Sequence, residues 1–474
     1  MPVKRTAVIN VVGLTESLIG EHTPRIAEFR QRGALTHITP AFPAVTCTAQ
    51  SNYLTGTPPS QHGIVGNGWY NRELSEVHFW KQSNHVVQAD KIWDELKARD
   101  PQFTCAKVFW WYNMYSSADY SITPRPMYPA DGRKFFDIYT YPGDVRKKIK
   151  QEIGEFPFFG FWGPAAGVKS PQGAADCATR WIAEAAKWFE HKYSPTLNLI
   201  YLPHLDYNLQ RHGPYDAAGK LNPKIHRDLQ EIDAIVGGLV DLFAKRGVKV
   251  ILLSEYGITN VNKPIHLNRL LSQRGKFDVA VREELGLELL NSGASEAFAV
   301  ADHQIAHIYL KNPALADKVR EFVEKETGST VLGAKEKIAA GIDHSRAGDL
   351  IAIAPEKAWF TYYYWEDDRR APDFARTVDI HRKPGYDPVE LFVDPKIPLP
   401  KLKVAWRLLQ KKLGFRMLMD LIPLDATLVK GSHGRRPADK KDWPVLITQE
   451  PELSGATTIE STEVYQILRR QVLG

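Results

Sequence analysis

The sequence predicts an α/β fold, a doubly wound, mostly parallel central sheet with helices on both faces. Three observations carry this. Continuous apolar runs end in glycine or polar turns at residues 7–13, 104–111, 197–202 and 248–254. Stretches of helical period, 174–191 and 226–246, separate such runs. The 474 residues suit one large domain with insertions, or two domains. Strands buried on both faces read as unbroken apolar runs, whereas half-exposed strands alternate. In such sheets chemistry sits at the carboxyl ends of the strands. Here those ends are Gly13-Leu14-Thr15, Pro203-His204-Leu205-Asp206 and Glu255-Tyr256-Gly257.

From about Asn262 the pattern loosens. Short strands (306–310, 349–354) mix with a helix over 312–327 and an aromatic stretch from Trp359 to Trp365. The chain then returns with Gly431-Ser432-His433-Gly434, an apolar run at 443–447 and a closing helix over 460–473. The expected organisation is a core of 1–261 and 429–474 with an inserted α+β cap, 262–428.

Hydrophobic residues make up 43% and charged residues 24%, the proportions of an ordinary soluble globular protein. A net charge of +6 without a Lys/Arg block argues against a nucleic-acid polymer as partner. Cys47, Cys105 and Cys177 show no CxxC spacing, so a reducing setting is expected, with Cys47 as a buried structural thiol. The apolar run after the N-terminus is too short for a secretion signal, and none reaches the roughly 18 residues of a membrane span. The expected location is the cytoplasm. Residues 400–422 interleave Lys401, Lys403, Arg407, Lys411, Lys412 and Arg416 with Leu402, Trp406, Leu409, Leu413 and Phe415. Such a helix either lies peripherally on an anionic membrane or packs on its own domain.

The most informative stretch runs from Ala41 through Phe42-Pro43-Ala44-Val45-Thr46 to Gly56, followed by His62-Gly63-Ile64-Val65-Gly66-Asn67. Thr46 falls where a helix begins and Gly56 where it ends. Thr46 is then either an N-cap or a hydroxyl beside a phosphate held at the helix N-terminus.

Taken with Asp206, Leu252-Leu253-Ser254-Glu255-Tyr256-Gly257 and Gly431-Ser432-His433-Gly434, this stretch resembles the alkaline phosphatase superfamily. Within it the chain is most similar to the type I phosphodiesterase/nucleotide pyrophosphatase family. The resemblance implies an alkaline phosphatase-like core and a two-zinc site at which a threonine attacks phosphorus. It makes Thr46 the nucleophile and Asn67 the residue that binds a phosphoryl oxygen. Asp206 and His433 match ligands of one metal.

The chain departs from the family pattern at the other ligands. The aspartate that ends the first strand is Val12, which has no donor atom; Asn10, on the same strand face, reaches only weakly. The histidine four residues after Asp206 is Gln210, a poor zinc ligand. The Asp-His pair is Glu255-Tyr256, where the carboxylate alone remains an ordinary ligand. The resemblance therefore implies a hydrolase of a phosphodiester, pyrophosphate or phosphomonoester with one or two divalent ions, zinc by family or Mg²⁺ or Mn²⁺ given the lost histidines. The alternative is an inactive member that binds a phosphorylated small molecule, or a protein or membrane partner, in the former cleft. Arg382 and Lys383 are expected to meet phosphate or to lie in a solvated loop. Tyr362–Tyr364 stack a ligand or pack as a strand. His303 and His307 are expected to be hydrogen-bonded structural residues.

Overall fold

The computed structural model describes residues 3–130, 134–167, 177–450 and 457–474. In chain order the strands that matter here are β1 (Thr6–Val11), β2 (Ala34–Thr39), β3 (Cys105–Val108), β4 (Tyr120–Pro124), β5 (Ile138–Tyr141), β6 (Leu197–Leu202) and β7 (Lys249–Leu253). After them come β8 (Ala297–Asp302), β9 (Ile305–Leu310), β10 (Thr330–Leu332), β11 (Leu350–Ile353), β12 (Val445–Thr448) and β13 (Thr458–Glu460). The principal helices are α1 (Thr46–Thr55), α2 (Ala178–Tyr193), α3 (His204–His212), α4 (His226–Lys245), α5 (Pro400–Lys412) and α6 (Val464–Leu473).

Nine strands form the central sheet in the order β13-β2-β12-β7-β1-β6-β3-β4-β5. The block from β7 to β4 is parallel throughout, while β12 and β5 run antiparallel to their neighbours. Every residue of β1 and of β6 is buried. Successive side chains of a strand point to opposite faces, so helices must cover both. The core joins Val8, Ile9 and Leu199 of the sheet to Trp181 and Phe189 of α2 and Ile232 and Leu239 of α4. The first three residues of the helix expected over 174–191 lie outside the described residues.

A four-stranded antiparallel sheet, β8-β9-β11-β10, builds a separate core with Val319 and Val323 of the helix Ala316–Thr327. Thr259–Asn260 and Gly431–Ser432 pair antiparallel. Gly257 makes the turn beyond β7 possible: a Cβ there would lie 1.8 Å from the Asp442 carbonyl oxygen. Tyr362–Tyr364 follow the strand Ala358–Phe360 as irregular backbone, and all three are buried among Trp359, Trp365 and Val389. They are core residues, not a half-exposed strand.

Among the described residues, no helix is long and apolar enough to cross a membrane. All three cysteines are free and buried.

Candidate active site

Thr46 stands at the first helical position of α1, not at its cap. Val45, extended at φ −133°, is the N-cap residue. The Thr46 Oγ1 lies 3.3 Å from the Tyr256 hydroxyl. The N-cap reading is therefore corrected. Gly56, at φ +67°, ends the helix in the left-handed conformation that favours glycine.

Two strand ends converge on Thr46. Asp206 comes from the first turn of α3, just beyond β6, and Glu255 and Tyr256 follow β7. Tyr256 O–H donates to Asp206 Oδ1 at 3.1 Å, and Gln210, one turn further along α3, donates from Nε2 to Asp206 Oδ2 at 2.8 Å. Glu255 Oε1 accepts from Asn10 Nδ2 and from Gln50 Nε2, each at 2.5 Å. Thr46, Asp206, Glu255, Tyr256 and His433 are all buried. Burial pushes the Asp206 carboxyl up to about 7, against the hydrogen bonds from Tyr256 and Gln210. Burial likewise pushes Glu255 up to about 8, against donors on Gln50, Asn10 and Thr46.

The tip of the β8–β9 hairpin closes the other side. Asp302 accepts from the Asn67 backbone N–H at 2.8 Å and from Asn67 Nδ2 at 3.1 Å. Asn67 Oδ1 in turn accepts from the Cys47 N–H at 3.0 Å. Both ends of Asn67 thus tie α1 to the hairpin. His303, at the turn with φ +63°, stacks between His433 and Tyr386, with ring centroids 3.6 Å apart on each side. His433 also stacks on Tyr256 at 3.6 Å. His433 Nδ1 must donate to the Ala44 carbonyl, 2.8 Å away, which leaves Nε2 as the acceptor of a neutral ring. Burial holds both imidazoles well below their ordinary value.

These donors do not fit a two-metal centre. Each ion of such a centre needs about three protein ligands. Val12 offers none, and Asn10 and Gln210 turn amide N–H groups, not oxygens, toward the carboxylates. Tyr256 O–H spends its proton on Asp206, whose two oxygens both already accept. Asp206 Oδ1 and His433 Nε2 are 3.9 Å apart, and no cluster of three or more His, Cys, Asp or Glu suited to one ion occurs among the described residues.

Arg382 and Lys383 have partners other than phosphate. Arg382 is exposed and faces Asp379 at 3.4 Å. The Lys383 ammonium is buried between Asp387 Oδ2 at 2.7 Å and Glu390 Oε1 at 2.8 Å. Removing one member of a buried ion group leaves uncompensated charge. Lys383→Met should therefore cost about 3 kcal/mol in urea unfolding. Most of that should return when Asp387→Asn and Glu390→Gln are added. His307 bonds the Val65 carbonyl and the Gly348 N–H, a structural role.

Sequence reasoning did not single out Gln50, Asp302 or Tyr386. Gln50 carries a readable signal, since it lies one helical turn after Thr46 on the same face. Asp302 and Tyr386 carry none, because their partners Asn67 and Gln210 lie far away in the sequence.

Comparison with known proteins adds the following. A family profile described as type I phosphodiesterase/nucleotide pyrophosphatase matches residues 6–387. An uncharacterized pyrophosphatase/phosphodiesterase of Schizosaccharomyces pombe is 23% identical over 262 residues, covering 53% of this chain and 44% of its own length. The chain thus spans less than half of that curated relative. Among solved structures, murine ectonucleotide pyrophosphatase/phosphodiesterase 5, as an inactive threonine-to-alanine variant in complex with AMP, is similar at a TM-score of 0.58. It is 14% identical, with 99% of this chain and 95% of that one covered. Phosphonoacetate hydrolase from Sinorhizobium meliloti in complex with phosphonoformate has a TM-score of 0.56, 12% identity and coverage of 99% and 97%.

Proposed function

Because the chain belongs to the type I phosphodiesterase/nucleotide pyrophosphatase family, a family of phosphodiesterase- and pyrophosphatase-type hydrolases, we propose that it binds a phosphorylated small molecule at Thr46 without the family's two-metal hydrolysis. In this reading 1–261 and 429–474 form the binding core, and 262–428 is the cap over it. The observation that carries it is the bridge Thr46–Tyr256–Asp206. One phenol stands between a residue matched to each expected metal position, 3.3 Å from the first and 3.1 Å from the second. An anion at Thr46 would meet the positive end of α1. It would also meet Glu255, which below about pH 8 holds its proton. The AMP seen in the murine relative makes nucleoside monophosphates and pyrophosphate the first ligands to try. A reducing, cytoplasmic setting belongs to this reading, supported by three free thiols.

A second reading rests on the same bridge. Thr46 Oγ1 attacks phosphorus while its proton passes to the Tyr256 oxygen and the phenol proton passes to Asp206. The leaving oxygen departs with its electron pair, and water later cleaves the phosphothreonine.

Calorimetry with AMP and pyrophosphate on chelator-treated protein tests the first reading, alongside nitrophenyl phosphodiester turnover by wild type and Thr46→Ala. Expected are binding that survives chelation, weakened about tenfold in Thr46→Ala, and no turnover above buffer. Thr46-dependent turnover in chelator would establish the second reading. Turnover that requires added metal, or no binding of either ligand, would overturn the first.

A further inference from the structure

We propose that α5 and the turn after it form a peripheral docking surface for an anionic lipid bilayer. The helix has no buried residue. Leu402, Trp406, Leu409 and Leu413 recur at the spacing of one helix face, and all are exposed, Leu402 and Leu413 at 64%. Leu399 before the helix and Phe415 after it, 62% and 65% exposed, lengthen the apolar surface at its two ends. A helix covered by its own domain would bury this stripe, so the reading of an ordinary packed surface helix fails.

The helix is nonetheless held to the body, by its other edge. Lys403 Nζ meets Asp420 Oδ2 at 2.8 Å and Arg407 meets Asp420 Oδ1 at 2.9 Å. That leaves Lys401, Lys411, Lys412 and Arg416 exposed and without an ion pair among the described residues. From Lys396 to Met419 the chain has no acidic residue.

Charge chooses the occupant. A second copy of the chain would bring the same unpaired cations against these, a repulsive arrangement. An anionic bilayer supplies what both parts lack: phosphate charge for four cations and an acyl boundary for Trp406 and the leucines. The attachment through this surface is reversible, because one interfacial helix is a single signal.

Flotation of the full chain with vesicles tests this, using phosphatidylcholine alone and phosphatidylcholine with about a third phosphatidylglycerol, at low and high salt. Wild type should float with the anionic vesicles only, and less at high salt. Two variants separate the parts of the surface: Trp406→Ser with Leu409→Ser and Leu413→Ser, and Lys401→Gln with Lys411→Gln, Lys412→Gln and Arg416→Gln. Each should lower the bound fraction at least tenfold while thermal unfolding stays at the wild-type temperature, since every changed side chain is exposed. Wild type that fails to float, floats equally with neutral vesicles, or floats as well in either variant would overturn the proposal. So would sedimentation showing that these variants abolish a dimer while vesicles stay bare.

Discussion

Val12→Asp, Gln210→His, Glu255→Asp and Tyr256→His, combined in one chain, should raise bound zinc from less than one ion per wild-type chain to about two. The reason lies in the donor count. The wild-type chain places Asp206 beside His433 and Glu255 beside Thr46, while amide and phenol donors take both oxygens of Asp206 and Oε1 of Glu255. The four changes supply three ligands to each ion besides the nucleophile, the number such sites require. They also remove the Tyr256 hydroxyl from between Thr46 and Asp206. Plasma emission spectrometry on dialysed protein gives the stoichiometry. Because Val12 is fully buried, the new aspartate needs its ion, so zinc should raise the variant's unfolding temperature and leave wild type unchanged. Nitrophenyl phosphodiester turnover, expected at the buffer rate in wild type, should exceed that rate about 10³-fold or more, the scale of preorganised charge stabilisation. Zinc at two ions per wild-type chain would refute the donor count.

What the sequence disclosed and what it withheld follow a physical line. β6 and α4 were legible because each is set by its own residues: an unbroken apolar run, and an apolar face of helical period. The end of α1 was legible because Gly56 alone suits the left-handed position. The missing ligands were also legible, since a valine or a tyrosine changes donor chemistry wherever it sits. Partners across the fold were hidden. Lys383 reads as a phosphate-binding cation although its partners follow only four and seven residues later, because the sequence does not show that all three are buried together. Asn67 reads as a phosphate donor until the β8–β9 hairpin places Asp302 against it. Thr46 reads as a cap because helix starts favour hydroxyls locally, and only the end of β7 brings the Tyr256 phenol that competes for it.

Chelator-treated protein should lose stability as pH rises from about 4 to about 8, the reverse of the usual carboxylate behaviour. Asp206 and Glu255 carry ordinary values of 3.8 and 4.5 when unfolded, and burial lifts them to about 7 and about 8 in the native chain. Between those limits the native state binds more protons than the unfolded state, so the stability these groups contribute is complete at the acid end and lost through their folded values. Each pH unit is worth about 1.4 kcal/mol per group, and the two carboxyls face each other, so the combined loss is on the order of 5 kcal/mol. Urea unfolding at pH 5 and pH 8 measures it, with Glu255→Gln as the control. Glutamine imitates the protonated acid and takes no charge, so that variant should match wild type at pH 5 and exceed it at pH 8. Stability that climbs with pH in wild type, and that Glu255→Gln lowers at pH 8, would mean that Glu255 is ionised in the native fold. That outcome would overturn the protonated state of Glu255 on which the proposed anion site rests.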